Sequence, residues 1–231
     1  MSEPILLELA EANNAIVSQA LALYRSSFPA AEREPVENIL DSISQRGRAA
    51  PSDGYVAHFF TAVQDGRVLG LAFYGYYRAS RLGILYYLAV QPDLRGQGTG
   101  AWLFQRILAQ LPQDAAGCGG LPPRGLAWEV ERPVDAVTSA EHDLRQRRIR
   151  FYQRHGALLL ESMDIQAPPL AEDLPPVMYH VMFLPSPGFD EQLSSQSFLI
   201  ELLDTLLLHG YAVERDSVYY RNALKLVKGN G

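Results

Sequence analysis

The sequence predicts an α/β protein of the α+β, mixed-sheet kind, closed by a helical C-terminal appendage. Three observations carry that reading. Helix-like and strand-like stretches alternate up to about residue 184; three of the strand-like stretches follow one another with short turns between them; and two apolar-periodic helical stretches end the chain. With 231 residues, 48% of them apolar and 20% charged, the composition is globular. The length suits one large domain, or one domain with a small appendage.

Ile5–Leu9 reads as a short strand. Asn13 or Asn14 is placed to cap the following helix, whose apolar face is Ile16, Ala20, Leu21, Leu23 and Tyr24. That helix ends near Phe28–Pro29, and Pro35–Ser44 reads as a second, shorter one. Gly47 and Pro51–Gly54 break the pattern. Tyr55–Val63, Arg67–Tyr77 and Leu82–Val90, separated by turn signals at Asp65–Gly66 and Ser80–Arg81, read as an antiparallel meander. A helix is expected over Gly98–Leu111. Gln113–Gly125 reads as a Pro/Gly-rich loop that leaves Cys118 as a surface thiol without function. Leu126–Glu131 is a strand, Pro133–Ser139 a connection, and Ala140–His155 a charged helix stopped by Gly156. Ala157–Met163 and Met178–Leu184 are strands joined by Pro168–Pro176. Gln192–Lys228 holds two helices. Phe198, Leu202, Leu203 and Leu206 give the first an apolar face that must be covered by the core or by a second subunit. The expected division is therefore 1–188 for the main domain and 189–231 for the extension, with a homodimer through the extension as one expected state.

Lys plus Arg number 20 and Asp plus Glu 26, a net charge of −6. That balance argues against a nucleic-acid-coating surface. The single cysteine excludes an intrachain disulfide and a Cys-rich metal site. The start, MSEPILLELAE, lacks the basic and apolar regions of a secretory signal, and no apolar run approaches the roughly 20 residues a bilayer requires. The expectation is a cytoplasmic protein with no membrane partner. His58, His142, His155, His180 and His209 have no metal-ligand spacing, so no metal is expected. His58 reads as a satisfied core or rim histidine.

The sharpest signal is Tyr87-Leu-Ala-Val-Gln-Pro-Asp-Leu-Arg-Gly-Gln-Gly-Thr-Gly-Ala-Trp-Leu103. An apolar strand enters a loop with glycines at 96, 98 and 100, and the loop opens a helix. Unpaired amides and the helix dipole make such a terminus an anion site, and Arg95 adds a bidentate donor. No Lys-Ser/Thr follows the glycines, so this is not a P-loop. GxGxG after meander strands is a poor dinucleotide fingerprint. A purely structural turn is the competing reading.

The stretch closely resembles the acetyl-CoA-binding motif of the GCN5-related N-acetyltransferase (GNAT) superfamily, through Arg95, Gly98 and Gly100. A second resemblance is Phe151-Tyr152-Gln153-Arg154-His155-Gly156-Ala157, with Ala157 where the family usually has an aromatic residue. Element order over about residues 5–184 also fits. The resemblance implies a GNAT-like acyl-CoA N-acyltransferase fold. It implies acetyl-CoA as co-substrate, with its pyrophosphate on the amides of Gln97, Gly98, Thr99, Gly100 and Ala101. Its pantetheine arm would lie against the backbone of Leu88 and Val90, the latter also a candidate amide donor to the thioester carbonyl. It places the Tyr152 hydroxyl near the CoA sulfur, where a phenol that arrives protonated can serve the leaving thiolate.

The implied activity is acetyl transfer to a primary amine, with a small molecule favoured over a protein amine. The alternatives are an acyl-CoA-binding sensor without turnover, and an acyltransferase using a longer thioester. The strand before the glycine loop lacks the carboxylate that many members carry there. Period-two alternation instead puts Glu129 and Glu131 on one face of the next strand, opposite Trp128 and Val130. Either could steer an amine or accept its proton, Glu131 being preferred as nearer the strand end. Glu32, Glu34 and the tyrosines Tyr74, Tyr76 and Tyr77 are candidates for the acceptor pocket. Arg145, Arg147, Arg148 and Arg150 read as a solvated helix face or as contacts to CoA phosphates.

Overall fold

Asp65 and Gly66 both adopt the left-handed backbone, φ 49° and 77°, and so form the tight hairpin turn their sequence calls for. They join β2 (Tyr55–Gln64) to β3 (Arg67–Tyr77), and β4 (Leu82–Val90) completes the meander, all antiparallel. The computed structural model describes residues 3–9, 15–45, 54–171, 173–189 and 193–229. The expected cap at Asn13 or Asn14 and the breaks at Gly47 and Pro51 lie outside these. The chain divides into two compact units, Met1–Pro123 and Arg124–Gly231.

In the first unit β1 (Ile5–Glu8) pairs with β2, giving the strand order β1-β2-β3-β4. Helices α1 (Ala15–Ser27) and α2 (Val36–Gln45) cover one face. Val17, Ala20, Leu21 and Tyr24 recur at helical spacing and pack with Ile39, Phe59, Leu71 and Phe73 in one apolar cluster. The other face receives α3 (Thr99–Gly117), whose Leu103 packs against Ala62 and Leu69.

Helix α3 runs further than the sequence predicts, through Pro112 to Gly117. Pro112 itself is exposed, whereas Asp114 and Ala115 just beyond it are buried. Their burial and the bonds of Asp114 outweigh the lost helical hydrogen bond. Cys118, expected as a surface thiol, is consequently buried at the helix end.

Asp114 anchors a buried polar network. His58 contacts Glu8 through Nδ1 at 2.6 Å and Asp114 through Nε2 at 2.8 Å, and the Tyr74 hydroxyl donates to Asp114. His58 is thus the satisfied core histidine that was expected. Burial by itself would depress its pKa, but the bonds to Asp114 and Glu8 outweigh burial and raise it. A raised pKa means stability that is fully present below the unfolded value of about 6.5 and is lost as pH rises through the folded one. His58→Gln is expected to cost about 3 kcal/mol near pH 6, because it removes the cation between Glu8 and Asp114 while Asp114 keeps only its bonds from Tyr74 and Gln110. Urea denaturation of both proteins should show the gap narrowing toward pH 9; a gap independent of pH would mean a neutral imidazole.

In the second unit β7 (Val177–Pro185) lies between β5 (Gly125–Glu131) and β6 (Leu158–Ala167), antiparallel to both. Helix α4 (Ser139–Gln153) is capped by Thr138, whose hydroxyl accepts from the Glu141 amide while Glu141 accepts from the Val137 amide. The tail forms α5 (Gln196–Leu203), a π-helical turn over Asp204–Gly210, and α6 (Val218–Gly229). Phe198 packs edge-on to Phe183 at 5.1 Å, and Phe198, Leu202, Leu203 and Leu206 are all at most 1% exposed. The apolar face that raised the idea of a second subunit is therefore covered within the chain.

Candidate active site

The loop that follows β4 is held in shape by its own side chains. Arg67 grips Asp93 with two bonds, 2.8 and 2.9 Å, and Gln97 donates to the Asp93 carbonyl at 2.8 Å. Gly96 and Gly98 sit at φ 78° and 92°, a region that penalises any side chain. Neither would meet a heavy atom within 4 Å if a Cβ were added, so the loop surface is open. The first bond of α3 runs from the Trp102 amide to the Gly98 carbonyl, 2.9 Å. The amides of Thr99, Gly100 and Ala101 precede that bond and have no acceptor within the helix. An open glycine surface leading to unpaired amides fits a phosphate group. Arg95 is exposed and bends back to the Val90 carbonyl at 3.4 Å. Leu88 packs beside Leu94 and Trp102 on the α3 face.

β4 also contains a feature that the alternation pattern does not reveal. Phe73 pairs with Tyr87 but Tyr74 pairs with Leu85, so Tyr86 is an extra, bulged residue. The bulge turns both Tyr86 and Tyr87 toward the α1–α2 cluster. Tyr74 and Tyr76, read as walls of an acceptor pocket, face α3 instead and are fully buried. The aromatic surface beside the α1–α2 loop is built from other residues. The Tyr77 and Tyr86 hydroxyls are 2.6 Å apart, and the Tyr55 ring lies 4.7 Å from that of Tyr77. Gly75 makes room for Tyr55, since a Cβ there would come within 2.5 Å of its ring. Glu34 is clamped by its backbone: Tyr24 donates to its carbonyl and its amide donates to Tyr87, both at 3.0 Å. Burial raises the Glu34 carboxyl pKa, partly offset by a bond to Asn38. Glu32 lies in a short 3₁₀ turn, Ala30–Glu32.

In the second unit, the expected alternation of β5 is observed: Trp128 and Val130 are buried, and Glu129 and Glu131 are half-buried. The two carboxylates then differ sharply. Glu131 is ion-paired with Arg148 of α4. Glu129 accepts a 2.8 Å bond from the Tyr211 hydroxyl on Oε2, while its Oε1 is buried without a hydrogen-bond partner among the described residues. Burial pushes the Glu129 pKa up to about 7 against the lowering effect of Tyr211. Strand position favours Glu131; the structure pairs it with Arg148, and Glu129 is the carboxylate of the two with a buried oxygen that has no hydrogen-bond partner among the described residues. Tyr152, on α4, has its ring 4.6 Å from that of Trp128. Burial raises its pKa, with Arg148 opposing and Glu131 adding, so the phenol is protonated at neutral pH. Arg145 bonds Glu141 and the Arg132 carbonyl, so two of the four helix arginines are spent inside the unit, and Arg147 and Arg150 are exposed.

Comparison with solved structures shows the fold. A GNAT-family protein from Bacteroides thetaiotaomicron superposes with a TM-score of 0.60 at 21% identity, covering 85% of this chain and 92% of that one. An N-acetyltransferase from Staphylococcus aureus Mu50 gives 0.54 at 15% identity, covering 80% and 99%. A GNAT-family acetyltransferase from Streptococcus pneumoniae gives 0.50 at 16%, covering 80% and 100%. At these identities the likeness shows a shared fold. No curated protein matches by sequence. Residues 56–156 match the family model described as Acetyltransferase (GNAT) domain, and the chain carries a domain of the GNAT superfamily. The domain and fold support acetyl-CoA-dependent acyltransferase activity. Among the described residues no three His, Cys, Asp or Glu are grouped to hold a metal ion, and no helix is long and apolar enough to cross a membrane.

Proposed function

We propose that the chain is an N-acetyltransferase that moves the acetyl group of acetyl-CoA to a primary amine of a small molecule, by direct transfer in a ternary complex. The observation that carries the reading is Glu129, a carboxyl with a pKa of about 7 and one unoccupied buried oxygen. A group with that pKa is matched to accepting an amine proton near neutral pH.

Each residue then has a part. The amides from Gly98 to Ala101 hold the pyrophosphate, the expected Gln97 amide being taken by the Leu94 carbonyl at 3.3 Å, and the backbone of Leu88 and Val90 holds the pantetheine arm, with Arg95 beside the phosphates. Glu129 takes a proton from the ammonium, which frees the nitrogen lone pair to form the C–N bond. The C–S bond breaks as Tyr152 gives its proton to the departing thiolate, and the second proton of the nitrogen passes back to the phenol, so the neutral amide and the thiol leave with one proton held by Glu129. Glu131, paired to Arg148, keeps that guanidinium in place near the phenol. The Glu34 carboxyl and the Tyr55–Tyr77–Tyr86 surface support a cationic acceptor with an apolar body.

Acetyl-CoA calorimetry followed by a panel of primary amines, amino acids and short peptides, assayed for CoA release, tests the proposal. Absent acetyl-CoA binding sinks it; release with peptides alone replaces the small-molecule acceptor by a protein terminus. Tyr152→Phe is expected to lower kcat about 100-fold, the low end for a lost general acid, with acetyl-CoA affinity unchanged. Equal turnover at saturating substrate would leave Tyr152 as a packing residue on Trp128.

A further inference from the structure

We infer that Tyr211, carried by the C-terminal tail beyond the family-matched segment, is a positioning residue for the transfer: its phenol fixes one oxygen of Glu129 and leaves the other to receive the amine proton. The inference deepens the transferase reading and rests on it.

The geometry is specific. The Tyr211 hydroxyl donates to Glu129 Oε2 at 2.8 Å, across 82 residues of sequence. A syn-anti pair of lone pairs remains on Oε1, which is buried and has no partner among the described residues. Buried carboxylate oxygens are ordinarily satisfied, so an orphan aimed away from its one donor marks a place for a proton or a substrate N–H. Tyr211 is itself held firmly. Its amide donates to the Leu206 carbonyl at 3.1 Å, the five-residue spacing of the π-helical turn, and Val213 donates to the Leu207 carbonyl at 3.1 Å. Leu206 and Leu207 are at most 1% exposed, so the turn is bolted into the core. An α-helical continuation would rotate position 211 by most of a residue step; inserted π turns recur at functional sites for that reason.

The charged groups around Glu129 leave Tyr211 as its acting partner. Val181 faces it across β7, and His180, one residue earlier, bonds Asp164. Glu131, on the same face of β5, is paired with Arg148. On the tail, Asp204 is held by Arg215 and Tyr220, and His209 lies two residues before Tyr211. Burial and the Tyr211 bond are the two influences that set the Glu129 carboxyl, in opposite directions.

Tyr211→Phe keeps the ring and removes the donor. The carboxyl carbon of Glu129 would be followed by NMR in Glu-labelled protein, its signal assigned by loss in Glu129→Gln. The wild-type titration midpoint is expected near 7, and in Tyr211→Phe about one pH unit higher. The acid limb of kcat/KM should move by the same amount, so the variant is about tenfold slower below the limb and recovers above it. A purely structural contact would slow the enzyme equally at all pH. In Glu129→Gln protein, the added Tyr211→Phe change should have no further effect on rate. A wild-type midpoint in the ordinary carboxylate range, a midpoint that ignores Tyr211, or a pH limb that stays put would each overturn the inference. Failure of the transferase reading shows separately, as absent acetyl-CoA binding by the wild-type protein.

Discussion

Gly100→Trp is expected to weaken acetyl-CoA binding by about 100-fold or more while the protein stays folded. Gly100 lies in the first turn of α3 and is not among the residues with positive φ, so its backbone accepts a side chain. It is half-buried, and an indole there would stand among the amides of Thr99, Gly100 and Ala101. Blocking two charge-assisted hydrogen bonds, each worth about 1.5–3 kcal/mol, gives the stated loss. Gly98→Trp should also weaken binding, but it is the less clean test. At φ 92° any side chain strains the loop, so lost affinity would mix blockage with distortion. Calorimetry on a Gly100→Trp protein with wild-type circular dichroism decides the matter: unchanged affinity removes the loop from the binding site.

Glu129→Gln is expected to lower kcat/KM for the best acceptor about 1000-fold, with acetyl-CoA affinity unaltered. Glutamine fills the same space and can keep the Tyr211 hydroxyl company, so the loss reports proton acceptance rather than packing. The wild-type rate should rise with pH through about 7, as the carboxyl ionises, and the variant should lose that limb. Glu131→Gln is the matched control: it releases Arg148 but removes no free acceptor, and a loss below about tenfold is expected. Stability should move the other way. A carboxyl raised from about 4.3 in the unfolded chain to about 7 when folded destabilises the protein progressively as pH rises through that window. Glu129→Gln should therefore be the more stable protein at pH 8. Near-wild-type rates in both variants would leave water or the substrate itself as proton acceptor.

The order of elements was legible in the sequence because each one announces itself locally. Asp65–Gly66 demands left-handed backbone and so declares the hairpin; Ala20, Leu21, Leu23 and Tyr24 declare a helix face; the glycines at 96, 98 and 100 before an apolar helix declare an open turn with spare amides. The alternation that put Glu129 and Glu131 together on one face of β5 is equally local. Three things were not local. The bulge at Tyr86 breaks period-two alternation without any turn residue to mark it, so the aromatic surface beside the α1–α2 loop is Tyr55, Tyr77 and Tyr86, and Tyr74 and Tyr76 serve the core. Helix α3 passes Pro112 because Asp114 finds His58 and Tyr74, partners 56 and 40 residues away. The choice between the two glutamates was decided by Arg148 and Tyr211, one neutralising Glu131 and the other leaving half of Glu129 free. By itself, then, the sequence determined the order of elements and the residue types at the loop and on β5, because backbone geometry and periodicity depend on near neighbours. Only the tertiary structure decided how the two carboxylates differ, Glu131 paired with Arg148 and Glu129 bonded to Tyr211, because pairing and burial depend on groups brought from distant parts of the chain.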